Sequence, residues 1–170
     1  MASDRLAQLF AGGVRPRCYV ASPLGFSETS REYYAERYLP ALAEHVEPVD
    51  PWTLSLPAEF EAAQAAGRAA AFGVEAGARN AQAIRGAQLV IAHLDGQEID
   101  SGTAAEIGYG AALGLPVLAV RSDLRASGEP GMRVNLQVQA FVVLSGGFIA
   151  ASLEELVERL RTLRAAPRRR

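Results

Sequence analysis

Three observations predict that this 170-residue chain folds as one doubly wound α/β domain built on five parallel strands. Short β-branched apolar runs alternate with helical patterns, as consecutive βαβ units require. The run Q-L-V-I-A-H-L, from Gln88 to Leu94, is apolar enough to be buried on both faces, as a central parallel strand is. A hydrophobic fraction of 49% against 21% charged residues belongs to a globular chain long enough to bury a substantial core. The architecture is flavodoxin-like or Rossmann-like. In such sheets ligands bind beyond the carboxyl ends of the strands, near the topological switch point.

Each element follows in order. A short helix around Asp4 to Phe10 ends at Gly12-Gly13, forming an N-terminal extension over residues 1–16 ahead of a domain at 17–165. The first strand is Arg17 to Ala21. Beyond Pro23-Leu24-Gly25, Thr29 or Ser30 can cap a helix that runs to about Glu44, and Pro40 inside it predicts a kink or early break. A second strand, Val46 to Val49, leads into the turn-rich D-P-W-T-L-S-L-P. The Ala-rich stretch from Ala58 to Arg85 reads as two helices with a bend near Gly73, Gly67 and Gly77 being further weak points. After the Gln88–Leu94 strand, a helix from Thr103 ends at the C′ glycine Gly114, with Pro116 beyond it. A fourth strand at Val117 to Val120, a polar loop through Gly131, a fifth strand at Ala140 to Leu144 and an amphipathic helix at Leu153 to Leu163 complete the domain. Residues 166–170 carry Arg168-Arg169-Arg170, a solvated basic tail or, in the alternative, a contact to phosphate or a partner.

Composition narrows the function. The net charge of −2 gives no reason to expect nucleic-acid binding. All 17 basic residues are arginine, which removes a lysine Schiff base and a Walker-type phosphate lysine. Cys18 stands alone, so no intramolecular disulfide forms and a reducing cytoplasm is the expected setting. No signal peptide opens the chain and no apolar run approaches a membrane span, so a membrane role is not expected. His45 and His93 are isolated, so no metal site is expected. The first loop, Ala21-Ser22-Pro23-Leu24-Gly25-Phe26, lacks the G-x-G-x-x-G of a dinucleotide site, and Ser27 and Ser101 lack a nucleophile-elbow setting. No cofactor is expected.

The chemistry concentrates in D-S-G-T-A-A-E-I-G-Y-G, residues 100–110, directly after the third strand. Thr103-Ala104-Ala105-Glu106 matches a capping box, in which the glutamate turns back to its own helix end. Alternatively Glu106, near a positive helix end that would keep it ionised, faces a ligand as a nucleophile. Asp100 has the same two readings: a turn or cap residue, or a group that binds or protonates a polar ligand. Two carboxylates on one ligand-edge loop suit glycosyl transfer, one attacking the anomeric carbon and one handling the leaving group's proton. Asp95-Gly96 reads most simply as a turn after the strand. Tyr19, Phe26 and Trp52 fall at or beyond the ends of strands one and two, where three aromatics suit a flat heterocycle and any one of them suits the core.

Taken together the residues resemble the nucleoside 2-deoxyribosyltransferase family. The match runs through Y-V-A-S-P-L-G-F-S from Tyr19, N-A-Q-A-I from Asn80, L-D-G-Q-E-I-D-S-G-T-A-A-E-I-G-Y-G from Leu94 and V-N-L-Q-V from Val134, covering most of residues 17–163. The resemblance implies that Glu106 is the nucleophile and that Asp100 helps bind and protonate the base. It places Asn80 against the sugar or in support of the site, matches Tyr19 to the family's first-strand tyrosine, and adds Asp95 and Gly102 to the substrate-binding set. It implies that Asn135 reaches a neighbouring subunit's site, so the active unit is a homo-oligomer, a dimer or higher. The partners are small-molecule nucleosides and free nucleobases. Asn80 stands where some members have aspartate, and the first loop is not glycine-rich. Two competing readings are a nucleoside or nucleotide N-glycosidase, with Arg31 or Arg133 available to a phosphate, and a non-catalytic nucleotide-binding module on the same fold.

Overall fold

A computed structural model describes residues 2–125 and 127–167, with side chains from residue 5 onward. The basic triplet expected at the end of the chain lies outside the described residues. Five parallel strands, β1 (Arg17–Ala21), β2 (Glu47–Val49), β3 (Leu89–His93), β4 (Val117–Val120) and β5 (Ile149–Ala150), form one sheet in the order β2-β1-β3-β4-β5. That order is the flavodoxin-like one, and it puts the switch point between β1 and β3. Cys18 to Ala21 pair in register with Leu89 to Ala92, so both central strands end side by side at the ligand edge.

Because side chains alternate across a strand, β1 and β3 feed two cores. Cys18, Val20, Leu89 and Ile91 face one way. They pack with Leu6 and Phe10 of α1 (Ala2–Phe10), Leu42 of α3 (Leu39–Ala43), and Leu156 and Leu160 of α8 (Leu153–Ala165). Tyr19, Ala21, Val90 and Ala92 face the other way. They meet Ile84 of α5 (Ala69–Arg85), Ile107 of α6 (Ser101–Ala112), and Val138 and Val142 of α7 (Leu136–Leu144). Every residue of β3 is buried, as its unbroken apolar run predicts. Gly110 lets α6 approach the sheet, since a Cβ there would lie 2.7 Å from Val90 Cγ2.

Four local expectations are corrected. The helix after the first loop, α2 (Glu28–Tyr33), is capped by Ser27, whose side chain accepts from Ser30 N, and not by Thr29 or Ser30. Pro40 leaves its mark one turn earlier than expected. Residues Tyr34–Tyr38 form a π turn, with Leu39 N–H reaching back to Tyr34 O, which passes the chain into α3 around the donor that proline lacks. The Ala-rich stretch divides into α4 (Pro57–Ala65) and α5 at Gly67, not Gly73. Gly67 takes the left-handed φ of +68° that ends α4, whereas Gly73 is an ordinary helical position.

The largest correction concerns Ala140 to Leu144, which is the second half of helix α7 and not the fifth strand. Three valines in a helix cost roughly 2 kcal/mol in propensity. Val138 and Val142, four residues apart, place both side chains in the core, and their burial stabilises the helix by about 3–6 kcal/mol. Packing therefore wins over propensity. The strand itself is the two-residue Ile149–Ala150, paired with Ala119 and Val120 and too short for a periodic signal.

Candidate active site

The loops after β1, β2 and β3, with α4 and α5, enclose a cavity of about 860 Å³ at the carboxyl edge of the sheet. Its polar end is built around Glu106. Tyr19 stands on the α6 side of β1 with its ring fully buried, and its hydroxyl donates to Glu106 Oε1 at 2.5 Å. Asn80 Nδ2, from α5, donates to the same oxygen at 3.5 Å. Glu106 Oε2 accepts from no described residue, so one carboxylate oxygen is held and the other is left for a ligand.

Glu106 does not close a capping box. The N-cap of α6 is Asp100, whose Oδ2 accepts from Thr103 N at 2.8 Å and from Thr103 Oγ1 at 3.2 Å. The helix thus begins two residues before Thr103, and Glu106 sits in its second turn, where the helix-end field has largely decayed. The expectation of a carboxylate kept ionised by the helix end is overturned. Burial is the dominant influence and raises the Glu106 carboxyl to about 7, with the nearby charge of Asp100 adding to it. The bonds from Tyr19 and Asn80 oppose the rise. The Tyr19 hydroxyl is pushed well above its ordinary range by burial and by the Glu106 charge, so it stays a donor.

The remaining expected site residues divide. Asp100, Gly102, Asn80, Phe26 and Trp52 all line the cavity with Glu106. Phe26 meets Trp52 edge-on, ring centroids 4.8 Å apart, and is 69% exposed. Trp52 lies so close to the first loop that a Cβ on Gly25 would fall 2.2 Å from its ring, so only glycine fits there. Tyr19 offers the cavity no aromatic face; only its hydroxyl matters.

Asp95 is not brought to the cavity. Its Oδ1 accepts from Ser122 N at 2.6 Å and Asp123 N at 2.9 Å, and its Oδ2 from Ser122 Oγ, which ties the loop after β4 to the loop after β3. The buried Arg121 reinforces that tie by donating to the backbone carbonyls of Leu94, Gly96 and Arg125. Asn135 is exposed outside the cavity of its own chain, capping α7 through a bond from Gln137 N at 3.0 Å.

Sequence reasoning missed Asp50 and Tyr34. Asp50 ends the second strand and caps the 3-10 turn Pro51–Thr53, its Oδ1 accepting from Trp52 N at 3.0 Å and from Tyr34 Oη at 2.9 Å. Its other oxygen accepts from no described residue, and both residues line the cavity. The signal was the D-P-W triplet at a strand's carboxyl end, where an aspartate fixes the turn and borders the cavity. Among the described residues Arg31 is the one cation lining the cavity, its Nε donating to Gly25 O at 3.3 Å. No group of three or more His, Cys, Asp or Glu side chains among the described residues could hold a metal ion, and no described helix is long and apolar enough to cross a membrane.

The switch point of this parallel α/β sheet thus carries a half-buried carboxylate, a tyrosine donor and paired aromatics. The model of the nucleoside 2-deoxyribosyltransferase family matches residues 18–142, and the chain belongs to that family. It is a nucleoside-processing enzyme. A conserved protein from Enterococcus faecalis V583 shares the fold with a TM-score of 0.60 at 22% identity, covering 88% of this chain and 99% of that one. The 2-deoxyribosyltransferase of Bacillus psychrosaccharolyticus gives 0.60 at 21%, covering 89% and 98%. The CMP N-glycosidase of Clostridium botulinum gives 0.53 at 14%, covering 85% and 98%. Comparison with curated protein sequences gives no match.

Proposed function

We propose that the protein transfers a 2-deoxyribosyl group between nucleobases by double displacement. The observation that carries this reading is the half-buried Glu106 on the cavity wall, with one oxygen held by Tyr19 and Asn80 and the other without a protein donor among the described residues. Glu106 Oε2 attacks C1′ of a 2′-deoxynucleoside; the C1′–N bond breaks with its electron pair on the base, and Asp100, directly or through water, supplies the proton. A second base then attacks C1′, returns its proton along the same route and releases the carboxylate. Two inversions give net retention. Trp52 and Phe26 hold the base by stacking, and Asn80 shares Glu106 with the sugar.

Because Asn135 is exposed outside its own cavity, we assign it to the site of a neighbouring copy in a homo-oligomer. Incubation of deoxyadenosine with a different free base is expected to yield the exchanged nucleoside. Full activity in Glu106→Ala would overturn the assignment.

Two observations support hydrolysis as a second reading: the cavity's volume of about 860 Å³ leaves room for water beside a nucleoside, and Arg31, which would attract a substrate's phosphate, is among the lining residues. Free base released without exchange, and faster from a nucleoside monophosphate, would select that reading.

A further inference from the structure

The cavity is longer than the catalytic reading needs. Pockets for drug-sized ligands run from about 300 to 1,000 Å³, and 860 Å³ lies near the top of that range. The excess has a direction. Phe72, Ala76 and Asn80 follow at four-residue intervals along α5 and all line the cavity, so one helix face runs from the catalytic carboxylate's partner to an aromatic ring. Eight residues of helix span about 12 Å. Trp52 and Phe26, the stacking pair, line the same cavity, as do Leu56, Pro57 and Phe60, the last of which meets Phe72 at the far end of this run.

This outer stretch is apolar by construction. Phe60 meets the buried Phe72 edge-on at 6.0 Å. The neighbouring charges are turned on each other: Arg79 binds Glu59 at 3.1 Å and Leu54 O at 2.9 Å, and its guanidinium covers the Phe72 ring. The exposed Glu61 is the charged member of the stretch. Leu56 and Phe60 line the cavity yet remain 53% and 46% exposed, so apolar surface stands uncovered there.

We infer that the site takes nucleosides whose base carries a bulky apolar substituent on the edge far from the glycosidic nitrogen, as on the exocyclic nitrogen of adenine. This rests on the catalytic reading above for the placement of the sugar at Glu106. With C1′ at Glu106 and the ring on Trp52, the substituent packs along the α5 face at Ala76 against the paired Phe60 and Phe72 rings. The groove belongs to the same cavity as the reacting end and carries one exposed carboxylate, and the Arg79 guanidinium beside it is already held by Glu59 and Leu54 O. Those properties select an apolar group covalently attached to the base.

The test uses Glu106→Gln protein, which binds without turnover, titrated with N6-benzyl-2′-deoxyadenosine and with 2′-deoxyadenosine. Calorimetry gives the affinities, and the emission of Trp52, the chain's one tryptophan, reports occupancy of the cavity. The benzyl nucleoside is expected to bind at least about tenfold tighter. Phe60→Ser, at a half-exposed position the fold does not depend on, is expected to reduce that ratio at least fivefold. Equal or weaker binding of the benzyl compound overturns the inference, as does a preference that survives Phe60→Ser. A benzyl affinity that falls as the protein self-associates also overturns it, assigning the apolar stretch to a second copy. Exchange by the wild-type protein is read separately: tight benzyl binding with neither exchange nor hydrolysis leaves this inference standing and removes the catalytic one.

Discussion

Glu106 carries opposing demands at one atom pair. A nucleophile must be ionised, yet burial raises this carboxyl to about 7. The expected kcat/KM therefore climbs as pH rises through about 7, read from initial rates between pH 5 and 9. Tyr19→Phe removes the 2.5 Å donor, so this limb should move to higher pH while Glu106→Ala lowers turnover about a thousandfold or more. Stability should move the other way. A carboxyl raised in the folded state contributes stability that is present below its ordinary value of 4.5 and is lost as pH rises through about 7. Glu106→Gln is accordingly expected to stabilise the fold at pH 8 by about 3 kcal/mol in urea unfolding. An unchanged midpoint would show that the carboxylate is not desolvated. The sequence showed that a carboxylate stood at the ligand edge, but not what held it. Tyr19 and Glu106 lie 87 residues apart, and only the pairing of β1 with β3 brings them together. The cap reading of Asp100 was legible, and the same residue also lines the cavity.

At the scale of elements, the glycines of the helical arm make opposite predictions. Gly67→Ala forces a left-handed φ of +68° onto a residue with a Cβ and should cost about 1 kcal/mol. Gly73→Ala has open space around the new methyl in mid-helix and should stabilise by about 1 kcal/mol. Equilibrium denaturation of both variants measures the difference; reversed signs would move the helix break back to Gly73. The glycine pattern announced a break but not which glycine took it, because that depends on how α4 docks. The strand misplaced at Ala140 to Leu144 has the same origin. An apolar, valine-rich run fits a strand or a buried helix, and Val138 and Val142 decide it only through contacts with β4 and α6.

Four of the five strands were legible because parallel strands announce themselves as apolar runs; the two-residue fifth was not, and neither was the strand order, since no local signal separates the flavodoxin-like from the Rossmann-like arrangement. Completion of the site across copies is a question at this scale. Asn135→Ala and Glu106→Ala proteins, each inactive alone, are expected to recover activity when mixed and allowed to exchange subunits. Mixing without recovery would place Asn135 outside the reaction. Acid should destabilise the whole fold as well. His93 is buried against Tyr38 and its imidazole is held below its ordinary value chiefly by desolvation, partly offset by the Asp95 charge. Its stability contribution is present above about 6.5 and lost as pH falls below it.

The close approach of Gly25 to Trp52 has a consequence for how this enzyme can change. The backbone of the first loop lies against the indole, so these two walls of the cavity are not independent variables. Any side chain at position 25 demands a smaller residue at position 52, and a smaller residue there opens a gap that only a side chain at 25 can fill. In a mutational library the two positions should show sign epistasis, each single change harmful and matched pairs tolerated. Variation of the base pocket then proceeds by paired steps, while Glu106, anchored from the other side of the cavity, stays outside the exchange.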